Sequence, residues 1–448
     1  MQKASLRQVP LGWLGGHGIS LLVVLLAWAV GQVAMLAQRP LISLSLDSAG
    51  YLAVADRIVH HLSVSSFLDA MRTPGYPAFL AGLEALGIYG DAIAYAQAPL
   101  LLLTMLVAYA LVWELTRQRW VAVLVAAVLG VNIFFLAWER TVMSEEMEIL
   151  AVMLAAFCFW RWLKERQSAW AAAFCLVSIM VVLIRPSFIY LPLALAAVVW
   201  LSQPRRWRQP LLVAAVAYAA VGGYTLANNH TYPNAYLSST SSMNSLGKVL
   251  EYHMEGEGNP ARYPALYQAA QMVQTTQTTQ GPFRDPYSID PSVLGANYID
   301  AGRFSQEIIL HHPLEYASKS VVDFAKGWNL EPLPYAPVSC DCTTQANQVG
   351  WLAWVVASEA GQKAYLVTPL MLLALLLLWR RIERKVAWAL AGLGLVVLGE
   401  RVTSALLGYV FIDRFRSPVV PLAVILLAVV AVQIVVVFSR ARKQAKKA

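Results

Sequence analysis

Two polar stretches that follow the first apolar run of the chain carry residue types suited to chemistry. Asp47-Ser-Ala-Gly-Tyr51 begins with a carboxylate, and Arg72-Thr-Pro-Gly-Tyr-Pro77 begins with a guanidinium. A carboxylate can accept a proton, and a guanidinium can hold a phosphate or carboxylate in two-point contacts. A simpler alternative for Asp47 is a helix-end carboxylate solvated by the headgroup region. The segments 49–61 and 65–71 are predicted to be short amphipathic helices in the interface, which would wall a cavity around these groups.

Three more arginines lie at helix ends on the same predicted side of the membrane, namely Arg185, Arg414 and Arg416. All are candidate phosphate ligands. Snorkelling to the interface is the alternative for Arg185, and a local ion pair with Asp413 is the alternative for one of the other two.

An acidic cluster, Glu145, Glu146 and Glu148, opens one of the apolar runs. Acidic residues at a helix N-terminus are favoured by the backbone dipole, so helix capping with Ser144 as the N-cap is the simplest interpretation. A cap does not require three carboxylates, and Glu145 is therefore a candidate for binding a substrate or orienting a base.

The composition predicts an all-α polytopic membrane protein. The chain of 448 residues is 58% hydrophobic and 13% charged, and its apolar runs are long enough to cross about 30 Å of hydrocarbon. The net charge of +8 does not indicate nucleic-acid binding, because the basic residues lie in short loops between apolar runs. About ten spans are predicted, at 11–36, 96–115, 120–138, 147–163, 169–184, 187–202, 211–227, 364–379, 386–407 and 417–438.

The distribution of basic residues predicts the orientation. With a cytoplasmic N-terminus, every short basic loop and the basic tail fall on the cytoplasmic side, as the positive-inside rule requires. Both termini are then cytoplasmic. We expect three parts: a transmembrane core (1–227) whose first external loop is 37–95, a small, largely helical external domain (228–363), and C-terminal transmembrane helices with a basic tail (364–448).

No fixed-spacing metal site is evident in the sequence. Asp47 and Glu145 could share a divalent ion, Mg²⁺ or Mn²⁺, through oxygen ligands, and this cofactor stays open. Cys340 and Cys342 lie in a polar loop, where a strained disulfide and an incidental pair are about equally expected.

Several motifs in one order resemble the GT-C superfamily of integral-membrane glycosyltransferases, near the protein O-mannosyltransferase-like and lipid A aminoarabinose transferase families. The aspartate after the first span and R-x-P-G-Y-P carry most of the resemblance. The remaining motifs are Arg140-Thr-Val-Met-Ser-Glu145, with Glu where Asp is more usual, His312-Pro-Leu-Glu-Tyr316, and Asp413-Arg-Phe-Arg-Ser-Pro418, with Phe where Tyr is more usual.

The resemblance implies a GT-C-like bundle and an inverting transfer, in which a sugar leaves a polyprenyl phosphate for a hydroxyl acceptor on the outer face of a bacterial inner membrane. Asp47 is then the general base, and the partners are the lipid-linked sugar, the acceptor (a glycolipid, envelope glycan or protein) and membrane lipids. The residues expected to bind substrate are Arg72, Tyr76, Arg140, Glu145, Glu146, Arg185, His312, Arg414 and Arg416.

Two other functions are compatible with a polytopic bundle. An O-antigen polymerase or ligase would share the large external loop and the external arginines, but would have less need of the Asp47 and Arg72-Thr-Pro-Gly-Tyr-Pro77 arrangement. A lipid or solute transporter should instead concentrate polar residues near mid-membrane on broken helices.

Overall fold

The computed structural model describes residues 12–38, 41–45, 47–278, 281–328, 361, 363–408 and 415–446. This part of the chain is nearly all helical, and its one described pair of strands is a short antiparallel ribbon. The predicted fold class, an all-α membrane protein, is confirmed.

The membrane bundle is built from long apolar helices packed around one large core. Its helices are α1 (Gly12–Gln38), α4 (Ala92–Thr116), α5 (Arg119–Gly130), α6 (Ile133–Glu139), α7 (Glu145–Glu165), α8 (Ser168–Ile184), α9 (Leu191–Ser202), α10 (Arg208–Thr231), α16 (Thr368–Leu378), α17 (Arg384–Leu407) and α18 (Val420–Ala445).

Nine of the predicted spans each coincide with one helix, and the span predicted at 120–138 is divided between α5 and α6; the helices are unequal in length. Among the described residues, five helices are long and apolar enough to cross a membrane, and a sixth span is formed if α5 and α6, bent by 54°, count as one. Helices α8, α9 and α16 are apolar but shorter, and α7 carries its acidic cluster at one end. The count of ten spans therefore stays a prediction.

Two short helices follow the first span and position the candidate site. Helix α2 (Ser48–His60) covers the predicted interfacial segment 49–61, and a single 3₁₀ turn (Val64–Phe67) lies in the second one. The proline and glycine residues of Pro74–Pro77 predict a turn, but helix α3 (Gly75–Ala85) begins there instead. Proline is tolerated in the first helical turn, where its missing N–H would have no intrahelical partner.

The external segment folds around a small core of its own. Its elements are α11 (Thr240–Glu251), α12 (Pro264–Gln271), β1 (Thr275–Thr278), β2 (Gly281–Arg284), α13 (Pro291–Leu294), α14 (Ile299–His311) and α15 (Pro313–Lys326). The segments 302–312 and 313–328, whose apolar residues recur at helical spacing and predict helices, lie largely in α14 and α15. The Gln/Thr run at 271–280 suggests an irregular segment, but part of it pairs as β1 with β2.

Candidate active site

Asp47 and Arg72 form an ion pair where the first loop meets the bundle. Arg72 Nη2 donates a hydrogen bond to Asp47 Oδ1 at 2.7 Å, and the guanidinium lies over the Tyr51 ring, 4.8 Å from its centroid. Their side chains stay 27% (Asp47) and 14% (Arg72) exposed. The site therefore presents a carboxyl group and a guanidinium side by side, both partly accessible.

Backbone contacts hold each partner of this pair in place. Asp47 is the N-cap residue of α2, and the next side chain, Ser48 Oγ, donates to the carbonyl oxygen of Val142 at 2.8 Å. Arg72 follows a turn in which Asp69 Oδ1 accepts from the backbone N–H groups of Met71 and Arg72, both at 2.9 Å. The ion pair thus joins two segments that are each fixed independently.

A short parallel bridge joins the segment before α2 to the turn between α6 and α7 (residues 140–144, the second loop). The backbone N–H of Ser43 donates to the carbonyl of Arg140 at 2.7 Å, and the N–H of Val142 donates to the carbonyl of Ser43 at 3.1 Å. The predicted proximity of the Asp47 segment to the second external loop is therefore a direct contact in the structure.

Gly50 leaves the space that the Arg72 side chain occupies. A Cβ at this position would lie 2.9 Å from Arg72 Nε, whereas Gly82, a helical glycine of α3, has nothing within 4 Å of its Cβ position. We expect Gly50→Val to move the guanidinium away from Asp47 and to lower glycosyl transfer by about 10- to 100-fold, since small misplacements are costly in a reacting geometry. Gly82→Val is the matched control, and equal activity losses in both variants would contradict the prediction.

A second, buried cluster lies at the start of α7. Arg185 Nη1 approaches Glu148 Oε2 at 2.8 Å and Glu145 Oε1 at 3.3 Å, and both carboxylates are fully buried. Glu145 and Glu148 are three residues apart and so share one face of the helix. The Arg185 guanidinium also lies 4.8 Å from the centre of the Phe415 ring.

Contacts between neighbours bring the two clusters together. Thr73 Oγ1, next to Arg72, donates to the carbonyl of Ile184, next to Arg185, at 3.0 Å. On the other side, the Tyr51 and Ser144 hydroxyls are 3.4 Å apart. Arg72 and Arg185 are therefore the direct neighbours of this contact, which joins the segment before α3 to the last residue of α8.

Tyr76 supports the site from inside the bundle. It is fully buried, and its hydroxyl donates to Gln97 Oε1 at 2.7 Å. Gln97 Nε2 in turn donates to the carbonyls of Glu139 and Thr141 at 2.8 and 3.1 Å. This amide, missed by the sequence analysis, links the Arg72-Thr-Pro-Gly-Tyr-Pro77 motif to the second loop.

The contacts of Tyr76 predict a positioning role that can be separated from substrate binding. Tyr76→Phe leaves Gln97 Oε1 without its donor, which costs about 1–3 kcal/mol for a buried group. We expect a lower Tm with an unchanged KM for the lipid-linked donor. Tyr89→Phe, at an exposed tyrosine, should change neither. A raised KM with an unchanged Tm would instead show that the Tyr76 hydroxyl contacts substrate.

Arg140 and its neighbours are buried below the second loop. Gln32 of α1 donates to Glu139 Oε2 at 2.7 Å and accepts from Arg140 Nη2 at 3.1 Å, and all three side chains are buried. Glu146 is fully buried as well, and neither of its carboxylate oxygens has a hydrogen-bond partner among the described residues. Arg140 and Glu146 are therefore both buried, and their role in binding substrate stays a prediction.

The other predicted site residues lie elsewhere. His312 Nε2 is 3.4 Å from Glu257 Oε2 in the external domain. Arg416 is buried over the Tyr365 ring at 5.8 Å. Arg414 lies outside the described residues, as do Asp413, Cys340 and Cys342. For His312, Arg414 and Arg416, a role in binding substrate stays a prediction.

Two local expectations are refined by the side-chain contacts. Ser144 is the N-cap residue of α7, as predicted, but its side chain makes no capping hydrogen bond. As adjacent opposite charges within one predicted span, Glu400 and Arg401 are expected to neutralise each other. In the structure Glu400 accepts hydrogen bonds from Tyr365 and Ser404, whereas Arg401 donates to the carbonyls of Asp323 and Phe324. Adjacent helical residues point in different directions, which separates the two charges.

The carboxylates expected to share a divalent ion each face a guanidinium. Asp47 pairs with Arg72 and Glu145 with Arg185, and a shared divalent ion stays a prediction. Within the described ranges, a set of groups that could hold a metal ion lies instead on the exposed side of α2 and α3, namely Asp56, His60 and Glu84, with ligand atoms within 4.8 Å of one another. The backbone carbonyl and the carboxylate of Asp56 raise the pKa of His60.

Comparisons with known proteins agree with the motifs. Residues 71–224 match the family model described as dolichyl-phosphate-mannose-protein mannosyltransferase. No match was found among curated proteins. Crystal structures of ArnT from Cupriavidus metallidurans, bound to undecaprenyl phosphate and in the apo state, are similar at 15% and 14% identity. The two matches cover 88% and 86% of this chain and 78% and 77% of the ArnT chains, each with a TM-score of 0.37.

The family match confirms the resemblance to GT-C glycosyltransferases. The matched residues run from the Arg72 segment through the second loop and Arg185 to α10, and so contain most of the candidate site. Together with the membrane-spanning helices, this match supports a membrane-embedded glycosyltransferase.

Proposed function

We propose that this chain is an inverting glycosyltransferase that moves a sugar from polyprenyl phosphate to an acceptor hydroxyl on the outer face of a bacterial inner membrane. The observation that carries the proposal is the partly exposed Asp47–Arg72 pair, 2.7 Å apart, at the end of the first span. The matched family, named for a dolichyl-phosphate sugar donor, supports the donor class.

The proposed reaction uses Asp47 as general base. Asp47 accepts the proton of the acceptor hydroxyl as the hydroxyl oxygen attacks the anomeric carbon. The bond from that carbon to the phosphate oxygen breaks, and its electron pair leaves with the polyprenyl phosphate. One direct displacement inverts the configuration at this carbon. Phosphate is a good leaving group, so the site does not need a strong acid on the opposite side.

Arg72 is the proposed phosphate ligand. A guanidinium has five N–H donors in a planar fork, so it can bond a carboxylate on one edge and a phosphate on another. Arg72 is held by Asp47 and stacked on Tyr51, so its orientation is fixed before the donor arrives. The proposed base and the proposed phosphate ligand are thus held within one site.

Arg185 has a different proposed role, because two buried carboxylates surround it. Glu145 and Glu148 together exceed its single positive charge, so it supplies less positive potential to a phosphate than Arg72 does. We assign Arg185 to holding the acidic start of α7 beside the site. Glu145 directly follows Ser144, whose hydroxyl is 3.4 Å from the hydroxyl of Tyr51. Glu145 is therefore the proposed acceptor-side residue.

The outer face is proposed from the distribution of basic loops. Short basic loops mark the cytoplasmic side of the bundle. Asp47, Arg72 and Arg185 lie next to helix ends that the alternation of spans then assigns to the outer side. Lipid-linked sugars presented on the outer leaflet would reach this site without crossing the bundle.

A deletion strain tests the proposal. We expect one glycolipid, envelope glycan or protein to lose a sugar, and the missing mass identifies both sugar and acceptor. Complementation with the intact chain should restore the sugar, and the Asp47→Asn chain should not. Restoration of the sugar by the Asp47→Asn chain, or transport of a lipid-linked sugar across the membrane without any transfer, would contradict the assignment.

A further inference from the structure

Helix α15 has an exposed apolar face that the external domain does not use. Leu314, Ala317, Val321 and Ala325 are all exposed and follow one another at spacings of three and four residues. Leu314 is 85% exposed and Val321 67%, and Leu310 at the end of α14 is 76% exposed. A contiguous apolar stripe of this kind on a folded domain indicates an interaction surface.

The opposite face of α15 packs on the outer end of span α17. The Tyr316 hydroxyl donates to the carbonyl of Leu406, and Arg401 Nε donates to the carbonyl of Phe324 at 3.1 Å. Gly327, one residue beyond α15, lies directly against the Arg401 guanidinium. From Arg401 to Leu406 the axis of α17 rises about 7.5 Å, so α15 lies beside roughly the last turn and a half of this span.

The surface of α17 next to this contact is itself apolar and exposed. Val402, Leu406 and Leu407 are exposed at the outer end of a helix that is long and apolar enough to span the membrane. The stripe on α15 therefore lies beside the exposed apolar end of a helix that is long enough to span a membrane.

Charged side chains of α15 lie on a separate side of the helix. Glu315 and Lys319 are four residues apart and form an ion pair at 2.6 Å, and Lys326 is exposed one turn beyond Val322. This arrangement leaves a buried face, a charged face and an apolar face. Interfacial helices have an apolar side in the acyl boundary and a charged side toward water and headgroups.

From these contacts we propose that α15 is an interfacial membrane helix, with Leu310, Leu314 and Val321 inserted in the outer leaflet. The lipid bilayer covers the apolar stripe, because the stripe is continuous with the exposed apolar surface at the outer end of α17. The external domain is thereby held at a fixed height over the bundle by α15, in addition to its polar contacts with Arg401 and Leu406.

Fluorescence quenching by labelled lipids tests this inference on the full-length chain. In a background with all four cysteines replaced by alanine, and with the fold checked by Tm, single cysteines at Leu314→Cys and Val321→Cys would carry an environment-sensitive fluorophore. Glu315→Cys, on the charged face of the same helix, is the matched control. Each protein would be placed in phosphatidylethanolamine and phosphatidylglycerol vesicles, with and without lipid spin-labelled near the headgroup.

We expect the fluorophores at 314 and 321 to emit at shorter wavelength and to lose more than about half of their intensity to the spin-labelled lipid, since an interfacial helix inserts some 5–10 Å. The fluorophore at 315 should be quenched more by aqueous iodide and less by the lipid label. Two outcomes would overturn the proposal: iodide quenching at 314 and 321 equal to that at 315, or protection of both sites from iodide and lipid alike. The second outcome would mean that protein covers the stripe.

Discussion

Asp47→Asn is expected to lower the rate of sugar transfer by about 10²- to 10⁴-fold, the range that a positioned general base contributes. The amide keeps the size of the side chain and can still accept a hydrogen bond from Arg72 Nη2, which bonds Asp47 Oδ1 at 2.7 Å. The measurement is turnover of the purified chain in vesicles, followed as release of polyprenyl phosphate.

Donor binding separates a lost base from a lost fold. Asp47→Asn should bind the lipid-linked sugar nearly as well as the original chain and should unfold at nearly the same temperature. Asp290→Asn is the matched control, because Asp290 is an exposed N-cap in the external domain and asparagine caps helices equally well. Full turnover by the Asp47 variant would refute its assignment as the base.

Arg185→Leu should have the largest effect on stability. It leaves Glu145 and Glu148 buried side by side without the cation that lies 3.3 and 2.8 Å from them. Breaking a buried ion pair in this way costs about 3–5 kcal/mol. We expect a strongly lowered Tm in detergent, together with loss of transfer.

A second substitution distinguishes charge burial from simple loss of packing. Adding Glu148→Gln to Arg185→Leu removes one of the uncompensated charges and should recover part of the lost Tm. Arg262→Leu breaks the surface pair with Glu307, in which Arg262 is mostly exposed, and should leave Tm almost unchanged. Equal Tm shifts for Arg185→Leu and Arg262→Leu would show that the buried cluster does not stabilise the bundle.

The sequence was sufficient for the fold class and for the first of the two clusters. Long apolar runs indicate the membrane helices. A charged residue next to a span must meet water or find a protein partner, so it is a candidate for a functional role. Asp47 and Arg72 could be singled out on that ground, and the structure brings them into direct contact. The pairing itself depends on how α2 and α3 pack, which no local pattern shows.

The supporting residues were harder to predict for a physical reason. Gln32 and Gln97 are single amides within apolar helices, and their roles depend on helix rotation and on which backbone carbonyls face them. Arg140 matches a motif, but its burial follows from packing of α6 against α1 and α4. A lone amide in a predicted span was the available signal, since such a group must find a partner inside the protein.

The most direct test of the central claim is a reaction of the purified full-length chain with a polyprenyl-phosphate sugar of defined anomeric configuration. The acceptor would be the one found in the deletion strain, and the products would be examined by NMR and mass spectrometry. The proposed mechanism predicts one polyprenyl phosphate released per sugar transferred, with the opposite anomeric configuration in the product. Retained configuration, or sugar transfer without release of polyprenyl phosphate, would contradict it.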